Sequence, residues 1–411
     1  MNILLINHYA GNPELGMEFR PYYFAREWIK MGHNVRIMAG DFSHLRTKNP
    51  KIKKDFQEED IDGIIYSWLR TGAYRENGVK RAFTMFRFVG KLWLKAGWIV
   101  KTWKPDVVIT SSTYPLDTYA GQRITKKAGA RLIHEVHDMW PATLYEVGGM
   151  SKRHPFVVAM QWAENSAYRN SDKVVSLLPY AKGYMISHGM REDKFVHISN
   201  GVVETEWENN ACIPDDHRKV LEELQQNGKF VVGYFGGHAL SNSLDTLLDV
   251  AKKMDGEGIV FVLVGKGVEK KRLIERYKKE KIRDLVFLPP VPKNTIPNLL
   301  TYFDCIYMGA KQSPLYRFGI CFNKLYDSMM SGKPIICAIT TPKTLIEEYK
   351  AGIVTASGDV ESIEKAIRTL EAMEQSEREK IGINGKTAVL NHFTYNKLAA
   401  QFAAIFEESE G

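Results

Sequence analysis

Within Phe322 to Ile336, FNKLYDSMMSGKPII, a lysine and an aspartate sit where a helix should begin. Asn323 can act as the N-cap, Lys324 then falls in the first turn, and Asp327 follows one turn along the same face. An ammonium converging with free helix amides is a place for phosphate, and the aspartate is within reach of a ribose diol. Read without context, the same residues are a solvated lysine and an acid favoured by the helix dipole. A second candidate group lies in EVHDMWP, where His137 follows a strand end. An imidazole there can donate to a leaving phosphate or to a sugar. Glu135 shares its side of the extended segment and can orient the ring or receive a proton, whereas Asp138 points the other way. On its own, a histidine at a strand end also serves as a structural residue.

The elements that must position these groups alternate. NILLINHY, NVRIMAG, DVVITSS, ARLIHEVHD and KVVSLL are short apolar runs separated by helix-period segments, and the rhythm restarts with KFVVGYFGG, IVFVLVGKG, LVFLPP, DCIYMG, KPIICAI and AGIVTA. Such alternation predicts an α/β fold of two Rossmann-like, doubly wound parallel-sheet domains facing across a cleft, with ligands at the carboxyl ends of strands. The expected boundaries are 1–203, 204–385 and a terminal helical segment 386–411, with the break near Glu204 to Lys229. Gly11 and Gly16 in HYAGNPELG flank a loop that could cradle phosphate through its amides, and GYFGGHALSN offers His238, Ser241 and Asn242 before a helix starting near Leu244. Asp215-Asp216 reads as linker charge and Glu58-Glu59-Asp60 as a charged loop. Neither is placed to hold a metal against a diphosphate, so no metal and no cofactor beyond a nucleotide-sugar co-substrate is expected.

The stretch around Asp327 resembles the nucleotide-sugar signature of the retaining GT-B glycosyltransferases, family 4-like or group 1. Asp327 matches the acid that holds the ribose in that family, and Ser331-Gly332-Lys333-Pro334 matches the tail of the signature. Gly319 stands where the family carries a first acid that contacts the donor sugar, and the usual Arg and Lys after the first C-domain strand are replaced by His238 and Asn242. Both departures, with the pair Asn323-Lys324, resemble bacterial surface-polysaccharide enzymes of the N-acetyl-L-fucosamine transferase type. GMEFRPYYFAREWIKMGHNV with FSHLR, EVHDMWP, ISNGV, GGHALSNSLDTLL, FLPPVPKNTIPNLL and HFTYNKLA extend the resemblance along nearly the whole chain. It implies retaining transfer from a UDP-sugar, with His137 touching the donor sugar and Lys324 carrying the diphosphate charge. It also implies that Gly16, His238, Asn242 and Asn323 line the donor site, that Pro290 and Val291 hold the base through backbone groups, and that Phe393 to Phe406 fold back on the N-domain. Arg20 and His44 fall on the acceptor side.

The acceptor expected is a polyprenyl-diphosphate-linked saccharide in bacterial O-antigen or capsule synthesis. Val79 to Lys104 is a helix-period segment in which Arg87, Lys91 and Lys95 recur on one face, with Phe86, Val89, Trp93, Ala96 and Val100 on another. Basic residues interleaved with tryptophans suit an anionic membrane surface. Residues 1–200 hold 29 Lys and Arg against 19 Asp and Glu, a one-sided excess that agrees with an anionic partner; no nucleic-acid signature is found. With no membrane-spanning run and no cleavable leader, the expected location is cytoplasmic, peripheral to the inner membrane face. Four isolated cysteines read as small buried hydrophobes. Two other readings fit the same pattern: a UDP-sugar 2-epimerase, active without an acceptor, and a non-catalytic nucleotide-sugar-binding subunit.

Overall fold

The computed structural model describes residues 1–75 and 78–407. The chain opens with β1 (Asn2–Ile6), α1 (Arg20–Lys30), β2 (Asn34–Gly40), β3 (Gln57–Ile61), β4 (Ile64–Leu69) and α2 (Val79–Trp103). It continues with β5 (Val107–Thr110), α3 (Thr118–Ala128), β6 (Arg131–Val136), α4 (Pro155–Asn170), β7 (Lys173–Ser176), α5 (Lys182–Ser187) and β8 (Phe195–His197). Next come α6 (Glu204–Glu208), α7 (Asp215–Gln226), β9 (Phe230–Gly237), α8 (Leu244–Lys253), β10 (Ile259–Lys266), α9 (Lys270–Glu280), β11 (Leu285–Leu288) and α10 (Ile296–Thr301). The last elements are β12 (Cys305–Gly309), α11 (Asn323–Met330), β13 (Ile335–Ala338), α12 (Leu345–Glu348), β14 (Gly352–Thr355), α13 (Val360–Ala372), α14 (Gln375–His392) and α15 (Tyr395–Glu407).

These elements form two compact units: Met1–Asn200 with the segment from Tyr395 onward, and Gly201–Thr394. The first sheet runs β3-β4-β2-β1-β5-β6-β7-β8 and the second β11-β10-β9-β12-β13-β14. All neighbours pair in parallel except β3 with β4. Strands such as IVFVLVG and IICA are apolar without alternation because helices cover both faces of a parallel sheet. Each sheet reverses its winding once, between β1 and β5 in the first unit and between β9 and β12 in the second. At such reversals the loops at the strands' carboxyl ends splay apart and leave a crevice for a ligand.

Several expectations change. Glu58, Glu59 and Asp60 form β3, an antiparallel edge strand whose carboxylates face solvent, as suits an edge that must not recruit another chain. Asp215 and Asp216 are the first turn of α7, where they favour the helix dipole, and Asp215 pairs with Arg218 at 2.6 Å. The second unit runs past residue 385 to Thr394 because α14 packs closely on it: a Cβ at Gly382 would stand 1.8 Å from the Gly332 carbonyl oxygen. Only α15 joins the first unit, where Phe402 and Phe406 meet the ring of Trp28 and the Trp28 indole donates to the Ala399 carbonyl at 3.2 Å. Of the cysteines, Cys305 and Cys337 are buried, Cys321 is half-buried and Cys212 is exposed. On α2 the buried stripe is Met85, Phe88, Val89, Leu92, Ala96 and Ile99, so Phe86 and Trp93 face outward rather than into the core.

Candidate functional site

In the first unit the chemistry gathers at the ends of β5, which flanks the winding reversal, and of its neighbour β6. Alternation along β6 turns Glu135 toward the side that His137 takes just beyond the strand, and His137 Nε2 lies 3.0 Å from Glu135 Oε2. Ser111, the residue after β5, donates its hydroxyl to the same Oε2 at 2.6 Å, and its Oγ stands 2.8 Å from His137 Nε2. Arg20, the first residue of α1, donates from Nε to Glu135 Oε1 at 2.9 Å. The Arg20 guanidinium also donates to the carbonyls of Ile198 and Ser199. Arg20 is 2% exposed, its guanidinium enclosed by these partners. Burial pushes the Glu135 carboxyl up, but Arg20, His137 and Ser111 outweigh it and hold the group well below the usual carboxylate range.

This geometry fixes the imidazole. Ser111 spends its proton on Glu135, so the Nε2 of His137 carries a hydrogen that both Glu135 and Ser111 accept. Nδ1 is then the nitrogen left for a ligand; the nearest carboxylate to it, Glu18 Oε2, is 3.9 Å away. Three hydrogen bonds, from Arg20, Ser111 and His137, converge on the two carboxylate oxygens of Glu135. Asp138 is engaged elsewhere, accepting from the Met139 amide at 2.8 Å and the Thr143 hydroxyl at 3.1 Å.

The glycine loop is less open than expected. The amides of Glu14 and Leu15 donate to Asn12 Oδ1, that of Gly16 to the Asn12 carbonyl at 2.8 Å, and that of Gly11 to the Glu18 carbonyl at 2.8 Å. Gly16 sits at φ +104°, where a Cβ would press on the Thr47 amide at 2.8 Å, so the glycine answers to turn geometry. His44 is exposed, its Nδ1 2.7 Å from the Tyr74 hydroxyl.

In the second unit the corresponding groups come from the loops after β9 and β12, the strands that flank its reversal. Asn323 is the first residue of α11 and is exposed; the cap position is Phe322, and no side chain caps this helix start. That corrects the expected cap role and leaves the first turn open at its end. Lys324 Nζ donates to Asn242 Oδ1 at 2.8 Å and lies 5.1 Å from the Tyr234 ring centre. Asn242 in turn donates to the Gly237 carbonyl at 2.8 Å, which ties the loop after β9 to α11. Burial lowers the Lys324 ammonium to about 8, since its partners are a neutral amide and two rings.

Asp327 is raised by burial to about 6, a shift that Lys293 opposes, Glu206 reinforces and a hydrogen bond from Trp207 opposes. Lys293 and Glu206 pair with each other at 3.0 Å. These three neighbours were not legible in the sequence; they come from α6 and from the loop before α10, far from Asp327 along the chain. His238 is fully buried with neither ring nitrogen hydrogen-bonded, and burial with Lys270 holds it neutral near 4. Leu240 and Ser241 are the exposed side chains of this loop, and the half-buried Asn242 is the one that meets Lys324. Pro290 is exposed and Val291 packs on the core, while the Pro289 carbonyl accepts from His217 at 2.9 Å. Among the described residues no cluster of three metal-ligating side chains occurs, and no helix is long and apolar enough to cross a membrane.

Residues 16–201 match the family described as glycosyl transferase 4-like domain, and residues 217–388 match glycosyl transferases group 1. WcaI of Escherichia coli (strain K12), named for glycosyl transfer in colanic acid biosynthesis, is 24% identical over 215 residues, a stretch that takes in 52% of each protein. The chain thus spans about half the length of that curated relative. Similar solved structures include sucrose-phosphate synthase from Thermosynechococcus elongatus, with a TM-score of 0.73 at 15% identity over 98% of both chains. Anabaena HepE in complex with UDP and glucose gives 0.66 at 16% identity over 100% of both. WaaG, a glycosyltransferase involved in lipopolysaccharide biosynthesis, gives 0.66 at 13% identity over 99% of this chain and 100% of that one.

Proposed function

We propose, from the premise that this chain belongs to the group 1 glycosyltransferases and has the GT-B fold, that it moves a sugar from UDP to a lipid-linked saccharide with retention. The observation that carries the donor half of this reading is the uncapped start of α11, with Lys324 and Asp327 on one face beside the winding reversal. The Lys324 ammonium suits the diphosphate, and the Asp327 carboxylate suits the ribose diol. Backbone groups at Pro290 and Val291 are assigned to the base. An N-acetylated deoxyhexosamine is the sugar class favoured by the resemblance around Gly319, Asn323 and Lys324.

In the transfer the anomeric carbon loses its bond to the β-phosphate oxygen, which keeps the electron pair, and gains a bond to the acceptor oxygen on the same face. The acceptor's proton ends on the departing phosphate. His137 is the group assigned to the reacting sugar. Its Nε2 hydrogen is committed to Glu135, so Nδ1 can accept from a sugar hydroxyl when the ring is neutral, or donate to developing negative charge when the ring is protonated. Glu135 and Arg20 are positioning residues behind it. The relative named for colanic acid biosynthesis and the lipopolysaccharide enzyme support a surface polysaccharide such as O-antigen or capsule as the product. The basic excess of residues 1–200 favours work at the inner face of a membrane.

UDP release from a panel of UDP-sugars, with and without a polyprenyl-diphosphate-linked saccharide, tests the reading. Release that depends on the acceptor is expected. Rearrangement of the nucleotide sugar with no acceptor present would instead favour the epimerase.

A further inference from the structure

The outward face of α2 does not match the basic stripe read from its sequence. Arg87 Nη1 donates to the Thr71 carbonyl at 2.8 Å, and Lys91 is paired with both Asp55 oxygens at 2.7 Å. Two of the three cations in the stripe are thus tied to their own unit. Beside them lie two hollows that meet at Leu94. One, of about 380 Å³, is formed by α2 with the loop before β3; Lys54, Lys95, Phe56 and Trp98 line it with the Asp55–Lys91 pair, whose charges offset each other and leave the two other lysines in excess. The Phe56 and Trp98 rings are 5.0 Å apart and wall it. Among the described residues, neither Lys54 nor Lys95 has a hydrogen-bond or ion-pair partner.

The other hollow, also of about 380 Å³, is a trough shared by α2, α3 and α4. Gly90 and Ala159 lie in it, and Trp93, Leu94, Tyr119 and Trp162 line it. Leu94 is 73% exposed and Trp162 67%, an unusual display for large apolar side chains on a folded unit. At its edge the Arg123 guanidinium lies 3.5 Å from the Trp93 ring centre, and its Nε has no hydrogen-bond partner.

A cationic, ring-walled hollow that runs into an apolar trough is complementary to one kind of molecule, an amphiphile with an anionic head and a hydrocarbon chain. We propose that this face seats a phospholipid of an anionic bilayer, with its phosphate between Lys54 and Lys95 and an acyl chain along the trough over Gly90 and Ala159. The proposal rests on the reading that this protein works at a membrane. It moves the contact from the α2 stripe to a three-helix face that includes α3 and α4. Rings such as Trp93, Trp98, Tyr119 and Trp162 suit the headgroup level, and the lysines suit the phosphate plane.

The test uses the full chain with no donor and no acceptor present, so its failure is separate from failure of sugar transfer. Sedimentation is measured with vesicles of phosphatidylcholine alone and of phosphatidylcholine mixed with phosphatidylglycerol. Binding is expected only to the mixed vesicles, and Lys54→Glu with Lys95→Glu should weaken it by about twenty-fold or more. The same two substitutions should leave the melting temperature unchanged, since both lysines are exposed. Phospholipids brominated along the acyl chain should quench tryptophan fluorescence in the bound wild type, and less so in Trp93→Phe with Trp162→Phe. Equal binding by the lysine variant, equal binding to neutral vesicles, or bound protein whose fluorescence is not quenched would each overturn the proposal.

Discussion

The two units offer contrasting sites built at the same place in the same kind of sheet. In the first, His137, Glu135, Arg20 and Ser111 form a closed set in which every charge already has a partner. In the second, Lys324 and Asp327 are both displaced toward neutrality by burial, to about 8 and about 6, and Lys324's hydrogen-bond acceptor is a neutral amide. The first site is assembled before any substrate arrives. The second carries groups whose charges are incompletely compensated, as expected where an anion and a diol are to supply the missing contacts. Rigid positioning near the reacting bond and unspent binding capacity at the nucleotide are different physical tasks, and they call for different degrees of prior satisfaction.

The sharpest way to break this comparison is at His137. His137→Ala should lower turnover by roughly a hundredfold or more while UDP affinity stays within about twofold of wild type, because the ring serves the sugar and leaving group. Steady-state UDP release and calorimetry measure the two quantities. Near-normal turnover would return His137 to a structural role.

Arg20 tests whether the first site is held together as described. Arg20→Met should destabilise the protein by about 3–5 kcal/mol, since it strands a buried carboxylate. Arg20→Met with Glu135→Leu should recover a good part of that loss in a urea or thermal melt. A double variant no more stable than the single one would mean that the pair does not act as a unit.

Asp327 gives the smallest effect and the finest discrimination. UDP affinity of the wild type should weaken as pH falls through about 6, where the free carboxyl takes up a proton, and as pH rises through about 8, where the free ammonium loses one. Asp327→Asn should remove the contribution of the first limb and bind UDP about three- to tenfold more weakly, leaving uracil and pyrophosphate binding nearly unchanged. A uniform loss across the three ligands would point to damage in α11 instead.

How far the sequence announced these sites follows from which interactions are local. The apolar runs, the helix from Leu244 and the Lys324–Asp327 spacing depend on neighbours within a few residues, and they are legible. So is the pairing of Glu135 with His137, which strand alternation dictates. The partners of Arg20, Glu135 and the carbonyls of Ile198 and Ser199, are not legible in the sequence because they are brought to it only by the order of strands in the sheet. The same holds for Trp207, Lys293 and Glu206 around Asp327. The cap at Asn323 failed by one residue because the helix starts a position earlier, with Phe322 as its cap. On α2, both stripes are periodic, and periodicity alone does not say which is covered; contact with α3 and the sheet settles it in favour of the Met85 to Ile99 stripe.

The measurement that tests the central claim most directly is UDP binding by calorimetry to Lys324→Ala, with His137→Ala titrated beside it. The account predicts that Lys324→Ala loses roughly tenfold or more in affinity, as for a charge-assisted phosphate contact, without loss of thermal stability, and that His137→Ala binds as wild type does. Wild-type UDP affinity in a well-folded Lys324→Ala would contradict it.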